Sequence, residues 1–534
     1  MVDRKGSDKH QPRLARPESD LKSGKNEEGL KGLKVREGGE GQSQEELARY
    51  SFISDGMPIE IVIKRKPAEF VPIYEASILT ISQTTQLILE KLRMELIENV
   101  RLESEELTNA NKEESLENKF KHAIKGIIER YFPDASEKEK EFMIAYLIQR
   151  SLGMGSIEIL MDDSQLEEIV VNSAEEPVWV YHKKFGWLKT NIRMESEEQI
   201  KQYAAQIGRK VGRQISILAP LLDAHLNTGD RANCTLMPIS SRGNTITLRK
   251  FATEPWTITS FLENKTFSPN AASMIWLAMQ YELSMLIAGG TASGKTSALN
   301  VIASFIPPNQ RVISIEDTRE LQLPKFLHWV PLLTRLPNPE GKGEVSMLDL
   351  LVNSLRMRPD RILVGEIRRQ SEAEVLFEAI HTGHSVYATV HANSVSETIT
   401  RLTNPPINTP KSMLPAISLI LVQYRNRRTG LRRNFQLAEI LPDGSPNLLM
   451  QLDVRRDTMN IINRSVSLMD TIKLFTGMSN QEIESDLREK EEVLAWLVKQ
   501  QVRTVDGVGR IMAEYYTNKE NLLKYVRANK PLPE

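Results

Sequence analysis

An eight-residue stretch, Gly289–Thr296, carries the residue types that bind phosphate groups. It reads GGTASGKT and matches the pattern G-x-x-x-x-G-K-[S/T] at every position. Glycines let successive backbone N–H groups point toward phosphate oxygens, and the N-terminus of a following helix adds positive potential. An apolar strand pattern, Met285–Ala288, precedes the motif, and a helix-compatible run follows it. This context favours a nucleotide site over a glycine-rich turn that binds nothing.

Two side chains of this motif have specific predicted tasks. We expect the Lys295 ammonium group to reach the β- and γ-phosphates of ATP, and the Thr296 hydroxyl to ligate Mg²⁺. The predicted nucleotide-binding residues are Gly289, Gly290, Thr291, Ala292, Ser293, Gly294, Lys295, Thr296 and Ser297.

Acidic residues end two apolar runs downstream of this motif. The first run ends in Glu316 and Asp317, and the second, residues 362–366, ends in Gly365 and Glu366. Many P-loop proteins have a magnesium-supporting Asp after the second run, where this chain has Gly365. We therefore predict that Glu316 and Asp317 supply the carboxylate for Mg²⁺, and that Glu366 positions or deprotonates the attacking water. A solvated loop charge is the alternative for each.

Three histidines form a further group, with His381 and His384 before a predicted strand and His391 after it. They could be proposed as zinc ligands, but no cysteine assists them and a whole strand separates the first two from the third. A polar switch near the γ-phosphate is the favoured interpretation. The segment Ser394–Glu397 resembles a capping box, which places His391 at a strand end, where parallel sheets bind ligands.

Composition sets the class of protein in which these residues act. The chain has 534 residues, 40% of them apolar, and its 69 basic and 70 acidic side chains leave a net charge of −1. Such a balance gives no indication of a nucleic-acid partner. A single cysteine, Cys234, fits a reducing cytoplasm. No apolar run approaches the length of about 20 residues that crosses a bilayer, and the N-terminus lacks a signal-peptide pattern, so any membrane role is expected to be peripheral.

Local patterns divide the chain. Met1–Ala48 contains no Ile, Phe or Trp and is rich in charged residues, so it is expected to be disordered, either as a solubilising tail or as a partner-docking tail. Ile59–Ile63 resembles a short strand. Apolar residues then recur every four positions, as in helices, in two stripes: Ile88, Leu92, Leu96 and Val100, and Leu116, Phe120, Ile124 and Ile128. The predicted organisation is a charged tail (1–48), a helical N-terminal subdomain (49–152), an α+β domain (153–251), a linker (252–257), a mainly parallel α/β domain (258–466) and a helical C-terminal region (467–534).

The order of these motifs resembles the type II/type IV secretion ATPase superfamily, whose members assemble pili, drive secretion and power the archaellum. Further similarity lies upstream of the phosphate loop, and the resemblance extends from about Asp163 to Leu441. The segments that carry it are Asp163–Asn172, Gly229–Arg231, Leu248–Phe251, Glu316–Asp317, Gly365–Glu366 and His384–His391.

Within the superfamily, the chain is most similar to the archaeal branch, and above all to the archaellum motor ATPase. The phrases RMRPDRILVGEIR (Arg356–Arg368) and VYATVHANS (Val386–Ser394) support this, although archaeal pilus ATPases share nearly the same motifs. Two features depart from the bacterial pilus type. The four-cysteine zinc motif is absent, and Glu-Asp-Thr-Arg-Glu stands where those relatives commonly have Pro after the Asp, which leaves the role of Arg319 open.

The resemblance implies a RecA-like P-loop domain behind an α+β N-terminal domain, assembled as a homo-hexamer, with Mg²⁺ as cofactor and ATP as substrate. It also implies that Arg231 and Arg249 act as arginine fingers on the γ-phosphate; ordinary surface ion pairs are the alternative. With them, the candidate catalytic residues are Glu366, Glu316, Lys295, Arg231, Arg249 and His391. Weaker candidates are Arg356, Arg358 and Arg368, and a basic hairpin containing Arg425, Arg427, Arg428, Arg432 and Arg433 either faces a partner or membrane or is simply solvated.

The function predicted from these features is an ATP-hydrolysing motor that powers the assembly, or the assembly and rotation, of an archaeal type IV pilus-like filament, the archaellum. Its expected partners are a polytopic membrane platform protein and an accessory regulatory ATPase-like protein, with no nucleic acid, at the cytoplasmic face of the membrane. An adhesive-pilus or type II secretion ATPase is the first alternative. A nucleic-acid motor is disfavoured by the balanced charge and by the Gly365–Glu366 pair, and a nucleotide-gated scaffold by Glu366.

Overall fold

Two nine-stranded sheets, each packed against its own helices, organise the residues that the structure describes. The computed structural model describes residues 45–67, 69–78, 85, 87–93, 122–226, 228–251, 255–337 and 341–533. The predicted tail therefore lies outside the described residues as far as residue 44. The linker predicted at 252–257 lies outside them at 252–254, and Thr257 already caps the next helix.

The first sheet is almost wholly antiparallel. Its strand order is β1-β2-β3-β6-β5-β4-β9-β8-β7, and only the β3–β6 pair runs parallel. The strands are β1 (Glu45–Ser54), β2 (Met57–Arg65), β3 (Ile73–Ile78), β4 (Leu166–Val171), β5 (Pro177–His182), β6 (Gly186–Arg193), β7 (Leu221–His225), β8 (Arg231–Thr235) and β9 (Thr245–Arg249).

Helices share one apolar core with this sheet. They are α1 (87–93), α2 (122–131), α3 (Glu137–Leu152), α4 (Ser156–Asp162) and α5 (Glu197–Lys210). Of the apolar stripe predicted at Leu116, Phe120, Ile124 and Ile128, the last two lie in α2 and are fully buried, whereas the first two lie outside the described residues. In α1 the buried residues are Leu89 and Leu92, whereas Ile88, which was predicted to lie on the apolar stripe, is 39% exposed.

The N-terminal segment differs from its prediction in two ways. Strand β1 begins at Glu45, inside the stretch predicted to be tail, and residues 49–152, predicted as a helical subdomain, open with a three-stranded meander, β1 to β3. The tail boundary was placed by the absence of Ile, Phe and Trp and by the abundance of charged residues up to Ala48. Strand β1 instead starts with charged side chains, and its backbone pairs with β2 from Glu45 opposite Arg65 onward. These first residues, Glu45 and Glu46, are exposed and leave no apolar pattern in the sequence, and the side chains of β1 that pack on the core begin only at Leu47.

The second sheet is parallel over six neighbouring strands and antiparallel over the rest, in the order β12-β11-β13-β14-β10-β15-β16-β17-β18. The strands are β10 (Met285–Gly289), β11 (Arg311–Glu316), β12 (His328–Leu333), β13 (Arg361–Val364), β14 (Ser385–Val390), β15 (Leu419–Arg425), β16 (Arg432–Ile440), β17 (Pro446–Asp453) and β18 (Thr458–Ile461).

Both faces of its parallel part are covered. In β10, Met285 and Ile287 join one apolar core while Leu286 and Ala288 join the other, so the whole strand is buried. The helices are α6 (Ile258–Glu263), α7 (Pro269–Gln280), α8 (Lys295–Ala303), α9 (Met347–Ser354), α10 (Gln370–His381) and α11 (Val395–Thr403), with short 3₁₀ turns at Leu355–Met357 and Lys411–Ala416. This arrangement confirms the predicted fold class, a RecA-like α/β domain behind an α+β domain.

The predicted helical C-terminal region is also present. It consists of α12 (Ser467–Thr476), α13 (Asn480–Lys499), α14 (Val505–Thr517) and α15 (Lys519–Ala528). These helices add to the core of the second sheet, where the fully buried Lys490 donates to Asp486 and to Tyr515. Within the described residues, no helix combines the length and the apolarity needed to cross a bilayer.

Candidate nucleotide-binding site

The phosphate motif forms the turn between β10 and α8, at the carboxyl edge of the parallel strands. Gly294 precedes α8 in the left-handed region, with φ of 90°, and no side chain caps the helix. A glycine takes this backbone conformation without strain. The first N–H groups of α8 therefore have no side-chain partner, as an anion-binding helix N-terminus requires.

Two glycines of the loop allow close approaches that a larger residue would block. A Cβ atom on Gly289 would lie 2.3 Å from Oγ of Ser293 and 2.8 Å from the backbone oxygen of Gln423, and one on Gly290 would lie 2.6 Å from Oδ1 of Asn393. The Ser293 hydroxyl is buried without a hydrogen-bond partner. A tight loop with an unpaired buried donor fits an oxygen-rich ligand such as a phosphate group.

Lys295 is the first residue of α8, and its Nζ donates to the backbone oxygen of Gly290 at 3.3 Å. Burial lowers the pKa of Lys295 from its ordinary value, while the negative charges of Glu366 and Glu320 partly offset that effect. Thr296 and Ser297 follow on the first turn and are half-buried. The lysine thus contacts the loop backbone within electrostatic reach of two carboxylates, as suits a phosphate-binding cation.

Glu316 ends β11 with an unusual environment for a carboxylate. It is 2% exposed, and its Oε1 accepts hydrogen bonds from the backbone N–H groups of Glu320 and Leu321 at 2.9 and 3.0 Å. Its Oε2 is buried without a partner. Burial raises the pKa of Glu316 to about 7. Gly365 lies beside it, because a Cβ there would come within 3.4 Å of the Glu316 backbone.

Asp317 and Glu366 end neighbouring parallel strands and share one arginine. Arg368 donates to Oδ2 of Asp317 at 2.6 Å and twice to Oε2 of Glu366, at 3.0 and 2.8 Å. Sequence reasoning treated Arg368 as a weak phosphate-binding candidate and did not foresee this bridge.

An all-oxygen set of Thr296, Glu316 and Asp317 suits Mg²⁺, which usually takes only one or two carboxylates from the protein and completes its shell with phosphate and water. The unpartnered Oε2 of Glu316 is the observation that fits such an ion. The described residues contain no cluster of three or more His, Cys, Asp or Glu side chains able to hold a metal by themselves. The magnesium assignment stays a prediction.

The two predicted arginine fingers approach this site from the first sheet. Arg231 and Arg249 face each other across β8 and β9. Arg231 is held by Asp223 through two hydrogen bonds of 2.9 and 2.6 Å, and Arg249 lies 3.9 Å from Glu320. In this structure both arginines therefore have carboxylate partners, and their role as fingers stays a prediction.

The histidines separate into two places. His391 lies beside the phosphate loop, with Nε2 3.0 Å from the Thr291 hydroxyl, whereas His381 ends α10 and the His384 ring lies within hydrogen-bond distance of Ala379 and Thr382 at the end of that helix. The three histidines thus do not form the zinc cluster that was the less favoured interpretation. Ser394 caps α11 as predicted, although the Glu397 carboxylate accepts from the backbone of Asn393 and not of Ser394.

The arginines of the basic hairpin between β15 and β16 have different contact partners. Arg432 reaches the phosphate loop, where its Nε donates to the Ala292 backbone oxygen at 3.0 Å. Arg433 is paired with Asp457 at 2.7 and 2.9 Å, and Arg425 donates to the Tyr181 hydroxyl of the first sheet at 3.2 Å. Sequence reasoning assigned the hairpin as a unit, and the signal that could have indicated Arg432 is its place at the start of β16, the strand paired with the neighbour of β10.

Other contacts link the first sheet to the loops around the site. The His225 ring nitrogen Nε2 lies 3.0 Å from the Thr318 hydroxyl, directly after Asp317. Arg319, whose role the sequence left open, stacks over the Trp329 ring at 5.5 Å and so faces its own domain.

Comparison with known proteins adds an independent line of information. A family model described as "Type II/IV secretion system protein" matches residues 152–430. An uncharacterized protein of Methanocaldococcus jannaschii is 38% identical over 324 residues, which are 59% of this chain and 58% of that protein. The chain thus spans little more than half the length of this archaeal relative.

Two bacterial proteins are also similar. The type IV secretion system protein PtlH of Bordetella pertussis is 30% identical over 301 residues, which are 50% of this chain and 88% of that protein. The X-ray structure of the ATPase DotB of Legionella pneumophila is 20% identical, covers 67% of this chain and 94% of its own, and has a TM-score of 0.41.

Proposed function

Since the chain belongs to the type II/IV secretion system protein family, we propose that it is an ATPase that binds ATP with Mg²⁺ at Gly289–Thr296 and hydrolyses it to ADP and phosphate. One observation carries the proposal: the phosphate loop, with its uncapped α8 and the half-buried Lys295, and the acidic end of β13 lie at the same carboxyl edge of the parallel strands, where burial lowers the pKa of the lysine and the charge of Glu366 partly offsets that effect. A phosphate site and a base are thereby brought to the same edge of one sheet.

The binding step uses the loop and its cations. The backbone N–H groups at the start of α8 and the Lys295 ammonium hold the β- and γ-phosphates. The contact between Arg432 and Ala292 supports the loop from the hairpin side. Magnesium, when bound, neutralises phosphate charge, and Thr296 with Glu316 or Asp317 would hold it.

The hydrolytic step uses Glu366 to orient and deprotonate the attacking water. Arg231 and Arg249 stabilise negative charge on the transferring phosphoryl group, and for this they must exchange their present partners, Asp223 and Glu320, for the phosphate. His391, next to Thr291 of the loop, senses which nucleotide is bound.

The machine that this ATPase serves is the finer part of the proposal. A homo-hexamer at the cytoplasmic face of the membrane would drive an archaeal filament, the archaellum, through a membrane platform protein and an accessory ATPase-like protein. The sequence phrases around Glu366 and His391 and the archaeal relative favour this system. An adhesive pilus or a type II secretion system is the alternative.

The activity is tested on the purified full-length chain by release of phosphate from ATP, with and without Mg²⁺. Lys295→Ala should reduce turnover on the order of 10²-fold or more, because it removes a charge aimed at the transferring phosphoryl group. Lys473→Ala is the matched control, since Lys473 is also a half-buried helical lysine but pairs with Asp470 on α12. Equal turnover in the wild type and in Lys295→Ala would reject the site.

A second measurement separates the classes of machine. DNA and lipid vesicles are added in turn, and stimulation by DNA alone would favour a nucleic-acid motor. In the source organism, deletion of the gene should abolish filaments or swimming. Normal filaments and normal swimming would exclude the archaellum.

A further inference from the structure

Arg368 joins the acidic ends of two neighbouring strands. Its Nε and Nη2 donate to one oxygen of Glu366, Oε2, at 3.0 and 2.8 Å, while its Nη1 donates to Oδ2 of Asp317 at 2.6 Å. Asp317 follows β11 and Glu366 follows β13, and these two strands are paired in the sheet. All three nitrogens of one planar guanidinium group are therefore used, a geometry that an ammonium group cannot reproduce.

The two carboxylates are left in different states by this bridge. Both oxygens of Asp317 have partners, since Oδ1 accepts from the Thr334 hydroxyl at 3.1 Å and Oδ2 from Arg368. Glu366 keeps Oε1 without a hydrogen bond to any residue within the described part of the chain. A cation that binds Asp317 at Oδ2 would compete with the Arg368 charge for that oxygen, whereas Glu366 can accept from a water through Oε1 while Arg368 still holds Oε2.

The charges around the bridge explain why an arginine is needed there. Glu320 adds a further carboxylate near Lys295, and Arg231 also lies within electrostatic reach of Asp317 and Arg368. The bridge itself is partly exposed, with 57% of the Arg368 side chain and 39% of the Asp317 side chain accessible. Exposed ion pairs are weak, so a divalent cation, with twice the charge, can replace the guanidinium at Asp317.

We propose that Arg368 is a positioning residue that fixes Glu366 for its contact with water and occupies Asp317 until a divalent cation arrives with the nucleotide. This inference rests on the proposed function, because it assigns a device to the same hydrolytic site. On cation binding, the bond from Nη1 to Asp317 breaks and the two bonds to Glu366 persist. The exchange couples metal loading to the final position of the base.

Two variants separate the two tasks. Arg368→Gln removes both the planar guanidinium group that holds Glu366 and its positive charge. Glu366 is then misplaced, so turnover should fall on the order of 10²-fold. Mn²⁺, used as the probe in the presence of ADP, should bind several-fold more tightly, because its competitor at Asp317 is gone. Arg368→Lys keeps a positive charge that competes with the cation at Asp317, but it lacks the planar guanidinium group that holds Glu366. It should therefore show near wild-type Mn²⁺ affinity and low turnover.

Electron paramagnetic resonance of free Mn²⁺ measures the cation affinity, and phosphate release measures turnover. Arg503→Gln is the matched control: Arg503 is 56% exposed and pairs with Glu263 at 3.0 Å, away from the site, so neither quantity should change. Thermal unfolding of each variant confirms that it is folded.

Wild-type Mn²⁺ affinity in Arg368→Gln would overturn the displacement role, and wild-type turnover in Arg368→Lys would overturn the positioning role. These failures differ from failure of the proposed function, in which the wild type and Lys295→Ala would show the same lack of hydrolysis. Even then, the Mn²⁺ measurement would still report on Asp317.

Discussion

Replacement of Glu316 by glutamine should stabilise the protein above neutral pH while it impairs ATP hydrolysis. The carboxyl group is almost fully buried, its Oε1 accepts two backbone hydrogen bonds, and its Oε2 has no partner. A glutamine can keep the accepting oxygen in place with no charge to desolvate. Its amide is, however, a poor substitute for a carboxylate ligand of Mg²⁺.

The size of the stabilisation follows from the pKa. Burial raises the pKa of Glu316 from the ordinary 4.5 to about 7, and each tenfold change in a proton equilibrium corresponds to about 1.4 kcal/mol. The ionised side chain therefore costs up to about 3 kcal/mol. Because the folded-state pKa is the higher one, wild-type stability is fully present below pH 4.5 and is lost as pH rises through 7.

The variant lacks this titration, so its advantage over the wild type should be small near pH 5 and complete at about pH 8. For a unit the size of Glu45–Glu534, unfolding entropy is about 1 kcal/mol per degree, which converts the gain to about 3 °C in melting temperature at pH 8. Thermal unfolding at pH 5 to 8, together with phosphate release at saturating Mg²⁺, measures both effects.

Glu439→Gln is the matched control. Glu439 is equally buried, but both its oxygens accept hydrogen bonds, among them those from the N–H groups of Val466 and Leu468. An amide nitrogen would face one of these donors, so this variant should be destabilised at every pH. If Glu316→Gln is no more stable than the wild type at pH 8, the burial argument is wrong. If it hydrolyses ATP normally, Glu316 is not needed for the metal.

Four further substitutions test the remaining roles. Glu366→Gln should bind nucleotide normally but lose turnover by roughly 10²- to 10⁴-fold, because the amide cannot take a proton; unchanged turnover would reject Glu366 as the base. Arg231→Ala and Arg249→Ala should each lower kcat more than they raise KM, since a finger acts on charge that develops in the transition state, and normal kcat in both would make them structural. Arg432→Ala should mainly raise KM, because it removes a hydrogen bond that supports the Ala292 backbone in the phosphate loop; an unchanged KM would contradict that role.

The phosphate loop and its flanking elements were predictable because the determinants are local. Hydrophobic residues at 285–288, glycines that permit the left-handed backbone at Gly294, and a helix-forming run after Lys295 are all contiguous in sequence. The capping residue Ser394 was predictable for the same reason. Such features depend on short-range sterics and hydrogen bonding, which a sequence displays directly.

The pairing of charges was not predictable, because it depends on which strand ends become neighbours. Arg368 bridges Asp317 and Glu366 only because β11 and β13 are adjacent. Arg432 reaches Ala292 only because β15 pairs with β10 and β16 pairs with β15. Of the meander β1–β3, only the middle strand was predicted, through Ile59–Ile63, because the pairing of β1 and β3 with it also depends on which strands become neighbours.

These pairings suggest how nucleotide binding could move the two sheets relative to each other. Arg249 of the first sheet is paired with Glu320 of the second, while Arg231 is paired with Asp223 within its own sheet. A bound nucleotide brings several negative charges, which compete with these carboxylates for both arginines. When Arg249 leaves Glu320 for the nucleotide, a contact between the sheets breaks. When Arg231 leaves Asp223 for the nucleotide, a new contact between the sheets forms. We therefore expect the relative position of the sheets to change between the nucleotide-free and ATP-bound states, and to change least in the double variant that lacks both arginines.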